Sequence, residues 1–307
     1  REEGASAGLP GGVRQSAGGD GLRFYLQQSL VTGMGDKILA DFRTVDWTII
    51  RAWQMALNFG ELTTNLLLIG QSGHTTPAHY DEQQNFFCQL SGHKAVWLAS
   101  PDQWNRMYPY PVHHACDRQS MADVFQCPWP ARRPGDPGVS SEEESAAALR
   151  ALGHSPELYP GMEKVKMVEA VVGPGELLYM PAYWWHHVVN LDEAVSLTFW
   201  FKCGPTPPVR NPLPIIQQVA LRRNLEGMLG DKIGPSKLRT LMLALEAGAT
   251  LDAHQTLVVA EVRSLLVHVM DEDAILPFLK ELAAHRFRLP VLPGGDDDAP
   301  APLHEAA

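Results

Sequence analysis

The chain has 307 residues, of which 45% are hydrophobic, and a formal net charge of −10. That is enough apolar material for a sizeable core, and the acidic balance excludes a broad electrostatic grip on nucleic acid or an anionic membrane. No apolar run approaches the roughly 20 residues that cross a bilayer. The four cysteines, Cys88, Cys116, Cys127 and Cys203, form no CxxC pair, so neither a disulfide framework nor a zinc knuckle is expected. Their pattern fits a reduced setting, cytoplasmic or nuclear.

In chain order, residues 1–21 are rich in Gly, Ser and Ala and read as a flexible leader, because they bury too little apolar surface to offset their ordering entropy. From 22 to 205 short apolar runs are punctuated by Gly and Pro: 65–70, 93–100, 166–172, 175–181, 184–191 and 194–202. Such runs, rich in Val, Leu and aromatics, are strand signals, and many of them in series predict a sandwich or barrel. Residues 121–162 interrupt the series with Pro and charge and read as a surface insertion with a short helix near 143–152. After 205 apolar residues recur at three- and four-residue spacing over 212–229, 236–247, 252–270 and 273–286, the signature of amphipathic helices. Leu221, Leu225 and Leu229 make a stripe whose ordinary use is core packing and which also suits pairing of two chains. The tail, 291–307, reads as disordered.

The stretch "PAHYDEQQNFF" (77–87) sets polar residues among apolar neighbours. In an extended strand His79 and Asp81 share a face, and Gln83 and Asn85 continue it for as long as the strand persists. Two ligands at i and i+2 converge on one ion. A third is available in "YWWHHVV", where His186 and His187 point to opposite faces, so only one joins the site. Two histidines and one carboxylate form the facial triad that holds non-haem Fe(II), although zinc, manganese or nickel also suit such donors.

The segments "GHTTPAHYDEQQNFFCQLSGHKAVWL", "PDQWNRMYPYPVHHACDRQS", "VVGPGELLYMPAYWWHHV" and "FWFKCGPTP" resemble the JmjC-domain 2-oxoglutarate oxygenases. Within that family they are most similar to the branch of the asparagine hydroxylase that inhibits hypoxia-inducible factor. The resemblance runs from about residue 23 to 230. It implies a mainly β fold, the double-stranded β-helix of the cupin or jelly-roll type, with a C-terminal helical appendage over 206–290 that dimerises. It implies Fe(II) as metal, O2 and 2-oxoglutarate as cosubstrates, and His79, Asp81 and His186 as ligands, leaving His187 a packing role. Lys94, Tyr25 and Thr76 match the partners of the distal carboxylate of 2-oxoglutarate, and Asn85 matches an amide near its metal-chelating end. Thr198 stands where the asparagine hydroxylase carries a second amide. Gln27, Arg118 and Gln119 match the residues that hold a target side-chain amide. The implied reaction is hydroxylation of asparaginyl side chains in ankyrin-repeat or transcription-factor segments. Other JmjC hydroxylation or lysine demethylation, and a non-catalytic cupin-like binding module, are the alternatives.

Overall fold

The computed structural model describes residues 23–30, 34–122, 159–205 and 212–288. The leader, most of the 121–162 insertion with its expected helix, and the tail lie outside them. Among the described residues nine strands form two antiparallel sheets. The five-stranded sheet has the order β1 (Tyr25–Ser29), β2 (Leu62–Gly70), β9 (Ala194–Phe201), β4 (Gln84–Ser91), β7 (Leu177–Met180). The four-stranded sheet has the order β3 (Thr75–Tyr80), β8 (Trp185–Asn190), β5 (Lys94–Ala99), β6 (Val168–Val172). This is the antiparallel two-sheet barrel that the apolar runs predict.

Alternation along each strand sorts side chains into three apolar clusters. Leu68, Phe87, Val96, Leu98, Met180 and Val188 fill the barrel between the sheets. Leu67, Phe86, Leu197, Phe199 and Phe201 face outward from the five-stranded sheet, onto Phe42 and Ile50. Those two belong to helices α1 (Asp36–Phe42) and α2 (Trp47–Ala56), which the strand reading of 22–205 passes over. Helix α2 starts at Asp46, whose carboxylate accepts hydrogen bonds from the backbone N–H groups of Thr48 and Ile49, satisfying donors that a helix start leaves open.

A single turn, α3 (Trp104–Met107), follows β5. The C-terminal helices are α4 (Ile215–Ile233), α5 (Pro235–Ala247), α6 (Ala253–Leu266) and α7 (Glu272–Ala283). Their buried residues join Ala78, Tyr80, Ala99 and Trp185 of the four-stranded sheet in one continuous cluster. The helical region is therefore an appendage that packs along the outer face of the four-stranded sheet. Leu225 and Leu229 are buried in this chain's own core and Leu221 packs partly against it, so that stripe is committed to the barrel. On α4, Gly230 meets the His113 ring so closely that a Cβ there would lie 2.0 Å from its Nε2.

One further expectation needs correction. Residues 77–87 are not one strand: β3 ends at Tyr80, β4 begins at Gln84, and the two belong to different sheets. Asn85 thus reaches the interior from the sheet opposite His79. Phe86 packs outward and Phe87 inward.

Candidate metal centre

The register of β3 against β8 pairs His79 with His186. Their ring centroids lie 4.1 Å apart. Ala78, Tyr80 and Trp185 turn outward to the helices, which sends His79 and His186 inward by alternation. The same rule sends His187 outward, where its ring lies 5.7 Å from that of Trp97. The choice between the adjacent histidines therefore falls on His186, and His187 is a packed, buried residue.

Asp81 follows β3 directly. Its Oδ2 lies 3.2 Å from His186 Nε2 and 3.8 Å from His79 Nε2, and one donor atom from each of the three residues falls within 4.8 Å of the others. Each imidazole is fixed by a backbone carbonyl, since Nδ1–H of His79 donates to Pro77 O at 2.8 Å and Nδ1–H of His186 donates to Trp184 O at 3.1 Å. In the neutral rings this leaves both Nε2 lone pairs aimed at the carboxylate, as in metal-binding histidines generally. Burial opposes the charge on Asp81, but a hydrogen bond from His186 and the charges of His79 and His186 when these rings are protonated, with that of Arg118, outweigh it and hold the carboxyl down at about 2. Burial and the neighbouring His186 push His79 down to about 4. Asp81 Oδ2 is sealed from solvent without a hydrogen-bond donor. Three electron-rich atoms this close repel unless a cation lies among them, so the donor set fits a divalent metal. The set is two imidazoles and one carboxylate, which leaves positions open for other ligands.

Lys94 begins β5 and, contrary to the ordinary fate of a lysine at a strand start, is 0% exposed. Its ammonium lies 3.4 Å from the Tyr25 hydroxyl and over the Tyr25 and Phe87 rings, at 5.2 and 5.1 Å. Among the described residues no carboxylate pairs with it. Burial pushes its pKa down to about 8. Thr76 hydrogen-bonds Tyr25, whose own pKa burial raises. A buried cation beside a hydroxyl that a second hydroxyl supports suits a carboxylate that comes from outside the chain. The sequence reading did not single out His74, whose ring stacks on Tyr25 at 4.2 Å and holds the phenol in place.

Asn85 is buried with its side-chain oxygen unpartnered, so its amide is free to meet a ligand. Thr198 is also buried, but its hydroxyl already accepts from the Trp200 indole N–H at 2.7 Å and from Leu66 N–H at 3.3 Å. Gln83 and Gln84 are structural: Gln83 accepts from the Thr63 hydroxyl, and Gln84 accepts from the Tyr179 hydroxyl and Ala182 N–H.

The loop 108–122 covers the free edge of β3. Tyr80 N–H donates to Arg118 O, Ser120 N–H donates to Ala78 O, and Gln119 forms a bridge with His79. Arg118 adopts φ 66°, and its Nη1 reaches Asp81 Oδ1 at 3.5 Å. Arg118 and Gln119 therefore stand at the rim of the metal site. Gln27 is exposed on β1, on the face that carries Tyr25.

A two-sheet antiparallel barrel with such a donor set at its mouth defines a cupin-type metal protein. The chain belongs to the cupin-like domain family, whose family model matches residues 24–206, more than half of it. Among curated proteins it is similar to "Jumonji C domain-containing protein 5" of Drosophila melanogaster, 30% identical over 134 residues, 44% of this chain and 26% of that one. It is similar to "Lysine-specific demethylase 8" of Xenopus tropicalis, 26% identical over 141 residues, 46% of this chain and 25% of that one. It is also similar to the human "Bifunctional peptidase and (3S)-lysyl hydroxylase JMJD7", 26% identical over 137 residues, 43% of this chain and 40% of that one. The chain thus spans about a quarter of the length of the first two relatives. No helix among the described residues is long and apolar enough to cross a membrane.

Proposed function

We propose that the chain is an Fe(II)- and 2-oxoglutarate-dependent oxygenase that hydroxylates protein side chains. The observation that carries this reading is the pairing, in one barrel interior, of a convergent His79–Asp81–His186 donor set with Lys94, a buried cation without a carboxylate partner. His79, Asp81 and His186 would hold the iron. Lys94, with Tyr25 and Thr76, would fix the distal carboxylate of 2-oxoglutarate, and Asn85 would orient its other end. Iron and cosubstrate supply the oxidative chemistry, in which one oxygen atom of O2 enters succinate as CO2 leaves and the other enters a C–H bond of the target. The protein's share is to position that bond and exclude water.

For the target, Arg118 and Gln119 at the rim, with Gln27 on the Tyr25 face, support an asparaginyl side chain, whose amide offers both a donor and an acceptor. Ankyrin-repeat or transcription-factor segments are the corresponding partners. A second reading, lysyl chemistry, is favoured by two of the relatives above, named as a lysine-specific demethylase and a lysyl hydroxylase; arginyl chemistry would be a variant of it. Purified protein loaded anaerobically with Fe(II) should gain a 2-oxoglutarate-dependent absorption band. On admitting O2 with a library of ankyrin-repeat and basic peptides, it should form succinate and add one oxygen atom to a peptide. Oxygen on Asn supports the first reading, oxygen on Lys or Arg or loss of a methyl group the second. Absence of both band and succinate would leave only a binding module.

A further inference from the structure

The active-site loop and the turn after β3 share one cation. Arg223 of α4 donates Nη1–H and Nη2–H to the two carboxylate oxygens of Asp117, both at 2.6 Å, and its Nε lies 2.7 Å from Glu82 Oε1. Asp117 immediately precedes Arg118, and Glu82 immediately follows the ligand Asp81. The Arg223 side chain is only 17% exposed, so the fork is largely shielded from solvent and salt. Three of its nitrogens are thus engaged, two on the loop and one on the turn. A planar guanidinium holds such a geometry, and a lysine, a single point charge, does not.

The rest of the loop is held separately. Glu226 Oε1 accepts from Val112 N–H, and Arg286 donates to the carbonyls of Pro109 and Tyr110. The half that carries Arg118 and Gln119 is tied to β3 by backbone bonds, and the arm through Asp117 is what links it to α4. Around the site Asp81, Glu82 and Asp117 face Arg118 and Arg223, with Arg118 within 3.5 Å of Asp81 and 3.9 Å of Asp117. Without Arg223, Arg118 would be the remaining cation near two carboxylates and would be drawn between them.

We propose that Arg223 is a positioning residue that ties the ligand turn at Asp81–Glu82 to the rim loop at Asp117–Gln119, so that the helical region sets both the metal clamp and the target-recognising loop. The inference rests on the metal-site reading above for its Glu82 arm alone; the Asp117 arm is read without metal.

The experiment uses the full chain and three variants, Arg223→Lys, Asp117→Asn and Glu82→Gln. Mn(II) affinity is measured by titration, and amide hydrogen exchange of 108–122 and of α4–α7 by mass spectrometry on metal-free protein. Asp117→Asn should speed exchange of 115–120 about tenfold and leave Mn(II) affinity unchanged. Glu82→Gln should weaken Mn(II) about tenfold, at the low end of what outer-shell changes cost, and leave loop exchange unchanged. Arg223→Lys should do both, with α5–α7 still protected. If Asp117→Asn and Glu82→Gln each move both readouts, or if neither moves its own, the strut is refuted. A variant that loses protection across α4–α7 as well marks Arg223 as a fold residue and also refutes it. Failure of the unaltered protein to bind Mn(II) would sink the metal reading and with it the Glu82 arm, while the loop arm would still stand or fall on exchange.

Discussion

Lys94 and Tyr25 meet inside the barrel, ammonium 3.4 Å from hydroxyl, and among the described residues no carboxylate approaches the lysine. The arrangement costs folding free energy, because burial disfavours the charged lysine and pulls its pKa from 10.5 to about 8, a difference worth roughly 3 kcal/mol. Here the folded state binds the proton more weakly than the unfolded chain does. The penalty is therefore fully present below pH 8 and lifts as pH rises toward 10. Between pH 8 and 10 the melting temperature of the unaltered protein should rise relative to that of Lys94→Met, in which the buried Cys88 thiol, which acts in the opposite sense, is the same, when both are measured without 2-oxoglutarate.

The same variant separates binding from folding. At pH 7, Lys94→Met should be more stable than the parent by about 1–3 kcal/mol, yet should lose 2-oxoglutarate affinity by about a hundredfold, since the fixed cation for the distal carboxylate is gone. Calorimetric titration of the metal-loaded proteins gives the second number. A variant that binds the cosubstrate as tightly as the parent would remove Lys94 from the site.

His186 and His187 give opposite outcomes on replacement by alanine. Loss of His186, a barrel-facing donor, should abolish measurable Mn(II) binding, as should Asp81→Ala, because two donors no longer define the site. His187→Ala should keep the metal affinity within a few-fold. It should lower stability by about 1–3 kcal/mol, as expected for a truncated buried side chain beside Trp97. Parallel metal titrations and thermal melts test the pair.

How far the sequence carries this reading depends on which periodicity governs each residue. Strand alternation brings out His79 and leaves His186 and His187 as alternatives between which the resemblance selects; the register of β3 against β8 sets His186 beside His79, and Asp81 lies just past the end of β3. The helices at 36–56 escaped notice because short apolar runs read equally as strands. Only the Asp46 cap and the spacing of Ile50 and Trp53 mark α2. Continuous polarity hides the break at 81–83, so the sequence does not show that Asn85 enters the interior from the sheet opposite His79. Arg223 carries no signal at all, because a charged residue on an amphipathic helix is normally a solvated one. Its role depends on where α4 packs, which local sequence does not encode.

The ion pair of Glu226 and Arg286 is buried, at 0% and 2% exposure, and joins α4 and the residues after α7 to the loop at 109–112. Removing one member should leave an uncompensated buried charge, so Glu226→Gln should cost about 3–5 kcal/mol. The double replacement Glu226→Leu with Arg286→Met should recover a large part of that loss while leaving Pro109 and Tyr110 carbonyls without their donor. Urea unfolding of the single and double variants measures the recovery. A double variant no more stable than Glu226→Gln would show that the bonds to the loop, rather than the charge pair, account for the cost.

Thr198 is buried on the interior face of β9, beside Phe87 in the register of β4 against β9. Its hydroxyl accepts from the Trp200 indole, and a hydroxyl so engaged still has one proton to donate into the interior. Thr198→Val removes acceptor and donor together. It should destabilise the chain by about 1–3 kcal/mol through the indole N–H left without a partner, and should weaken 2-oxoglutarate several-fold. Thr198→Ser should restore both quantities. Stability loss without a change in cosubstrate affinity would confine Thr198 to anchoring Trp200 and remove it from the cosubstrate pocket. A shift in both, rescued by serine, would mean that one hydroxyl serves the fold and the ligand at once.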